Sequence, residues 1–202
     1  MTSSPLDSRK SSSVYGGPSF SLANRLQRAV WIMTWLILAS WTPPPFHPWR
    51  RFLLRLFGAQ ISPTARIYGS TRIWYPPNLK MGAYSVLGWD AICYCQGQIT
   101  LNDFASVSQR AHLCAGTHAI DDPDFQLITG PIVIEEHAWV AADAFVGPGV
   151  TIREGAVLGA RGVAFKDLDS WTVYVGNPAQ SIRRRRKPDS KNFEMTQSSD
   201  QG

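Results

Sequence analysis

Cysteine is scarce in this chain. Three occur among 202 residues, at Cys93, Cys95 and Cys114, an odd number unsuited to the disulfide framework of a small secreted domain. One residue separates the pair in Cys93-Tyr94-Cys95, whereas redox and zinc motifs use a two-residue spacer. A reducing, cytoplasmic setting fits that usage. Charge is sparse too, at 17% of residues, and the formal net +5 is matched by one run, Arg183-Arg184-Arg185-Arg186-Lys187. A broad nucleic-acid-binding surface is therefore not expected, although such a run can hold phosphates or touch an anionic membrane. Also missing is a bilayer-spanning segment: the apolar stretch Ala29 to Trp41 falls short of the roughly 20 residues a crossing needs.

Glycine and proline, by contrast, number sixteen and fourteen, which favours a turn-rich fold. Residues 1–21 hold eight serines and few apolar side chains, a composition that cannot offset ordering entropy and reads as a disordered leader. Residues 22–58 read as an amphipathic, apolar helical segment, 59–182 as the main domain and 183–202 as a basic and polar tail. Three readings of the helical segment stay open: a signal peptide, an interfacial helix, or a helix packed on the protein's own core. Trp31, Trp35 and Trp41 followed by Arg50, Arg51 and Arg55 have the aromatic and basic character of a headgroup boundary, so peripheral membrane contact is one expectation.

Beyond Gly58 the chain acquires a period of six. Aliphatic or similar residues recur at Ile61, Ile67, Ile73, then Met81, Leu87, Cys93, then Leu101, Val107, Leu113, and without a break from Ile134 through Val140, Val146, Ile152, Leu158 and Ala164. Four residues after each stands mostly a small one, such as Ala65, Thr71, Ser85, Ala91, Ala105, Ala111, Ala138, Ala144, Ala156 and Gly162, with Pro77, Gly97, Thr117 and Val150 completing the column. Neither a 3.6-residue helix nor two-residue strand alternation gives this spacing, whereas a hexapeptide parallel β-helix does. Three units make a triangular coil, stacked coils bury a continuous apolar column, and the open coil ends require caps. The helical segment at one end and Ser170-Trp171-Thr172-Val173-Tyr174-Val175-Gly176-Asn177-Pro178-Ala179 at the other are suited to that task.

The segment from Ala138 to Arg185, with its closing Gly176-Asn177-Pro178-Ala179, resembles the C-terminal coils of the hexapeptide-repeat acyltransferases. His47-Pro48-Trp49-Arg50-Arg51 and Thr117-His118-Ala119-Ile120-Asp121-Asp122 are similar to the colanic-acid-type exopolysaccharide O-acetyltransferase branch, relatives of the maltose and galactoside acetyltransferases. The resemblance spans roughly residues 20–186. It implies an all-β, left-handed parallel β-helix, assembled as a homotrimer with active sites between subunits, and acetyl-CoA as acyl donor without a metal. It also implies a sugar or lipid-linked glycan acceptor, in the cytoplasm or at the inner face of the membrane.

The longest break in the register, residues 118–133, contains His118, Asp121, Asp122 and Asp124, and solenoid insertions often carry the site. A sugar hydroxyl is a poor nucleophile at neutral pH, and an imidazole is suited to take its proton and return it to a thiolate. His118 is thus the expected general base, matching the family's catalytic position. Relatives commonly carry Ser-His-Asp where this chain has Thr117-His118-Ala119, so Asp122 is the candidate acid for orienting the ring, with turn chemistry before Pro123 as its other reading. Cys93 and Cys95 fall where relatives place an acceptor-contacting asparagine. The resemblance sets the donor along Trp139, Ala142 and Ala160, with Lys166 and Arg183 at its phosphates.

Two other classes are weighed: a non-catalytic trimeric scaffold at membranes, and a γ-type carbonic anhydrase holding zinc through His112, His118 and His137. The spacings of 6 and 19 between those histidines do not match the latter family's tighter pair.

Overall fold

The inward column is buried from end to end, from Ile61, Ile67 and Ile73 in the first coil to Ile152, Leu158 and Ala164 in the fifth. The computed structural model describes residues 20–187; the expected disordered leader, apart from its last two residues, and the tail beyond Lys187 lie outside the described residues. Three parallel sheets form the faces of the solenoid. The first stacks Gln60–Ile61, Leu79–Met81, Ile99–Leu101, Ile132–Ile134 and Thr151–Ile152. The second stacks Arg66–Ile67, Val86–Leu87, Ser106–Val107, Trp139–Val140, Val157–Leu158 and Thr172–Val175. The third stacks Arg72–Ile73, Ile92–Tyr94, His112–Cys114, Phe145–Val146 and Val163–Ala164. Strands this short cannot bury an apolar face alone, so stability comes from the stacking of coil on coil.

The corners explain the second column of small residues. Tyr84, Asp90, Phe104, Arg110, His137, Asp143 and Arg161 all have left-handed backbones, with φ between 55° and 59°, and the small residue after each turns into the core. A left-handed bend is uncommon for side chains larger than Asn, and here its side chains stack along the solenoid. Tyr84 lies on Phe104 with ring centroids 5.2 Å apart, Phe104 lies on His137 at 4.9 Å, and on the next corner Arg110 pairs with Asp143 at 2.7 Å. Pro77, Gly97 and Thr117 depart from the column. The first three coils carry extra residues at that corner, and Leu79, Ile99 and Ile132 occupy the interior there instead.

Both ends are capped. Backbone N–H groups of the first coil donate to the second, as from Ser62 to Met81 and from Arg66 to Ser85, so the carbonyls of Ile61, Ala65, Ile67, Gly69 and Ile73 face the open end rather than another coil. Two helices supply the missing donors: α1 (Leu22–Leu38), opened by the Ser21 hydroxyl accepting from the Asn24 N–H, which satisfies an otherwise orphaned donor, and α2 (His47–Leu56). Trp31 donates to the carbonyl of Ile73, Trp35 to Gly69, Arg50 to Ile67, Arg51 to Ala65 and Arg55 to Ile61, at 2.6–3.0 Å. Arg50 is wholly buried and also donates to the carbonyls of Thr42 and Pro43. The tryptophans and arginines that read as headgroup ligands are therefore largely cap donors, because an unpaired buried carbonyl is costly. At the other end Thr172–Val175 turns through Gly176-Asn177-Pro178-Ala179 into the antiparallel strand Gln180–Arg184, so the basic run begins as part of the cap rather than as a free tail.

Candidate active site

His118 stands on the insertion. After Cys114 the chain leaves the coil as an antiparallel hairpin, Gly116–His118 against Leu127–Thr129, pairing His118 with Leu127, and re-enters the solenoid at Ile132. The tip is tied by the Asp122 N–H to the carbonyl of Ala119 and the Phe125 N–H to the carbonyl of Asp122. A left-handed Phe125, φ 46°, lays its ring on the imidazole with centroids 4.5 Å apart and planes 11° from parallel. Nδ1 of His118 donates to the carbonyl of Phe125 at 2.9 Å, since a carbonyl only accepts. That fixes the neutral tautomer with its lone pair on Nε2, and the side chain is exposed. The imidazole's partner thus differs from the expected Asp122, whose Oδ1 accepts from the Asp124 N–H at 2.9 Å. The Asp122 carboxylate closes an Asx turn, for which Asp before Pro123 is well suited.

Four of the five residues expected at the donor come together. Trp139, Ala142, Ala160 and Arg183 line a cleft of about 500 Å³ on the second sheet, with Ser108 and Arg185. The indole N–H of Trp139 donates to the Ser108 hydroxyl at 2.9 Å, holding the ring as a wall. The floor is small by necessity: a Cβ on Gly159 would lie 2.8 Å from the Val175 side chain and 3.1 Å from the Tyr174 carbonyl. Arg185, read in the sequence as tail, is pinned by its guanidinium to the carbonyls of His137 and Gly155 at 2.9 and 3.0 Å. The available signal is its position two residues after Arg183, just past the end of the strand Gln180–Arg184, since extended residues two apart share a face. Lys166 is exposed and is not among the lining residues of this cleft.

Cys93 and Cys95 are corrected by the structure. Both are fully buried, Cys93 in the inward column and Cys95 hydrogen-bonded through sulfur to the backbone of Tyr75, so neither thiol reaches an acceptor at the surface. Alternation turns Tyr94 outward instead, where it meets Trp74 and the amide of Gln96. The three histidines considered for zinc do not converge. His112 lies between Tyr94 and Phe145 on the third sheet, His137 stacks on Phe104 at a corner, and His118 rides the hairpin. Among the described residues no group of three His, Cys, Asp or Glu is placed to hold a metal ion.

Within one chain the hairpin leaves between the third and first sheets, while the cleft lies on the second. The architecture is that of hexapeptide-repeat acetyltransferases. A maltose O-acetyltransferase from Clostridium difficile 630 superposes with a TM-score of 0.72 at 21% identity, covering 83% of this chain and 90% of that one. The hexapeptide-repeat acetyltransferase VCA0836 of Vibrio cholerae O1 biovar eltor, solved with acetyl coenzyme A, superposes with a TM-score of 0.71 at 20% identity over 83% and 91% of the two chains. These likenesses establish the fold, a left-handed parallel β-helix. No family model matches the sequence. WcaF of Escherichia coli K12, named as a colanic acid biosynthesis acetyltransferase, is 41% identical over 166 residues, 82% of this chain and 91% of the relative. The chain belongs to that colanic-acid-type family of hexapeptide-repeat acetyltransferases.

Proposed function

We propose that the enzyme transfers an acetyl group from acetyl-CoA to a sugar hydroxyl during the assembly of an exopolysaccharide or related glycan, with His118 as general base. The observation that carries this reading is the fixed tautomer of His118, with Nδ1 committed to the Phe125 carbonyl and Nε2 left as a proton acceptor on an exposed hairpin. Nε2 takes the hydroxyl proton as the sugar oxygen attacks the thioester carbonyl, the C–S bond breaks, and the same proton passes to the departing sulfur. The cleft fits the donor. Ala142, Gly159 and Ala160 leave room for an extended pantetheine chain beside Trp139, and the Arg183 guanidinium is suited to a phosphate. Lys166 is assigned to the phosphates by family resemblance.

Assembly as a homotrimer would bring the hairpin of one subunit to the cleft of its neighbour, which the separation of His118 from the cleft within one chain calls for. The enzyme works in the cytoplasm, on an acceptor carried at the inner face of the membrane. The test is incubation with acetyl-CoA and a panel of free and lipid-linked sugars, reading product mass and ester lability. An alkali-labile acetyl ester on a sugar is expected; acetylation confined to amines, or none with any acceptor, would overturn the reading.

A further inference from the structure

A helix on a protein surface normally turns its polar side to solvent, and α1 reverses this. Trp31 and Trp35 seal the first coil, while the opposite side carries Leu22, Leu26, Val30, Met33 and Ile37, each more than half exposed. The apolar surface continues past the end of α1. Trp41, 71% exposed, donates its indole N–H to the Ile37 carbonyl, and Trp49 donates to the Leu38 carbonyl while stacking on Phe52. A contiguous exposed apolar surface on a protein marks an interaction site.

Charge identifies the occupant. Between Phe20 and Trp89 there are eight arginines and lysines and no aspartate or glutamate, whereas eleven carboxylates lie between Asp90 and Lys187. The net charge of the whole chain conceals this split. A second copy docking through the same face would bring two cationic ends together, which like-charge repulsion disfavours. An anionic bilayer complements both features, taking the apolar stripe below its headgroups and the exposed Arg25 on the flank of α1 at their level. Among the described residues no helix is long and apolar enough to cross a membrane, so α1 would lie in the plane of the interface.

We propose that the outer face of α1, with Trp41 and the Trp49–Phe52 pair, is a reversible docking surface for an anionic lipid bilayer. This deepens the reading that places the enzyme at a membrane, and it stands apart from the acetyl-transfer reading because its test needs no turnover.

The test is flotation of the full-length protein with vesicles of phosphatidylcholine alone or with about a third phosphatidylglycerol, at low and high salt. Sedimentation of the lipid-free protein and acetylation of a water-soluble sugar are followed in parallel. Tenfold or greater enrichment on the anionic vesicles, weakened by salt, is expected. Replacing Met33→Glu and Ile37→Glu together should abolish it while oligomeric state and activity on the soluble sugar persist. Equal retention on both vesicles, or none on either, would overturn the proposal using the wild type alone. Dissociation of the oligomer in the double variant would assign the face to subunit contact instead. Loss of acetyl transfer with vesicle binding intact would count against the enzymatic reading and leave this one standing.

Discussion

Phe125 holds His118 at two points, its ring stacked 4.5 Å from the imidazole and its carbonyl taking the Nδ1 proton at 2.9 Å. One contact sets the plane of the base and the other its tautomer, a task often given to a carboxylate in enzymes that use a histidine base.

Phe125→Ala should lower kcat by about 10- to 100-fold through a misplaced base, with the KM for acetyl-CoA unchanged, because the carbonyl stays but the stack is lost. Asp122→Asn keeps an oxygen for the turn and should leave kcat little changed. Steady-state kinetics at saturating donor distinguish the two, and a larger effect at Asp122 would place its carboxylate on the imidazole in the working enzyme.

The cap makes a prediction about stability. Trp31→Phe removes the donor to the buried Ile73 carbonyl and should cost about 1–3 kcal/mol. Trp41→Phe, on an exposed indole, should change stability by no more than about 0.5 kcal/mol. Urea unfolding of the two variants measures the contrast.

The repeat was legible because each side of a coil spends one aliphatic residue, and mostly one small residue at the corner, on the interior, so Ile61 through Ala164 announce themselves at fixed spacing. The hidden parts depend on neighbours far away in sequence. That Leu79, Ile99 and Ile132 also turn inward follows from the longer early coils. Cys93 and Cys95 were misplaced because position along a relative says where a residue falls, whereas alternation within the strand says which way it faces. Trp31, Trp35 and Arg50 look like membrane ligands until the orphaned carbonyls of the first coil are seen beside them. At the candidate site, His118 and Trp139 stand out in the sequence as candidates, but the carbonyl of Phe125 does not, since every residue offers one and only the bend of the hairpin selects it.

Arg183→Ala should raise the KM for acetyl-CoA by about tenfold or more, the equivalent of the 1.5–3 kcal/mol of a charge-assisted hydrogen bond, with a smaller effect on kcat. Initial rates against donor concentration report it. An unchanged KM would remove Arg183 from the donor site.

Stability should fall in mild acid. Burial lowers the pKa of His47, with the charges of Arg50, Arg66 and Arg51 adding to the effect and the Ile67 carbonyl opposing it; burial alone lowers that of His112. In the unfolded chain both titrate near 6.5, so between the folded values and about 6.5 the unfolded state binds more protons and stability rises with pH. The contribution of the neutral imidazoles is complete above that range and is lost as pH falls through it. Thermal midpoints from about pH 7.5 down to about 5 should decline, and His112→Phe should flatten the slope.

Whether His118 is the base of an acetyl transfer is read from acceptor-dependent thiol release from acetyl-CoA, comparing the wild-type enzyme with His118→Ala. A loss of about 10²–10⁴ in kcat is expected, with the fold and the oligomeric state intact. Equal rates in the two proteins, with the acetylated sugar formed in both, would contradict that role.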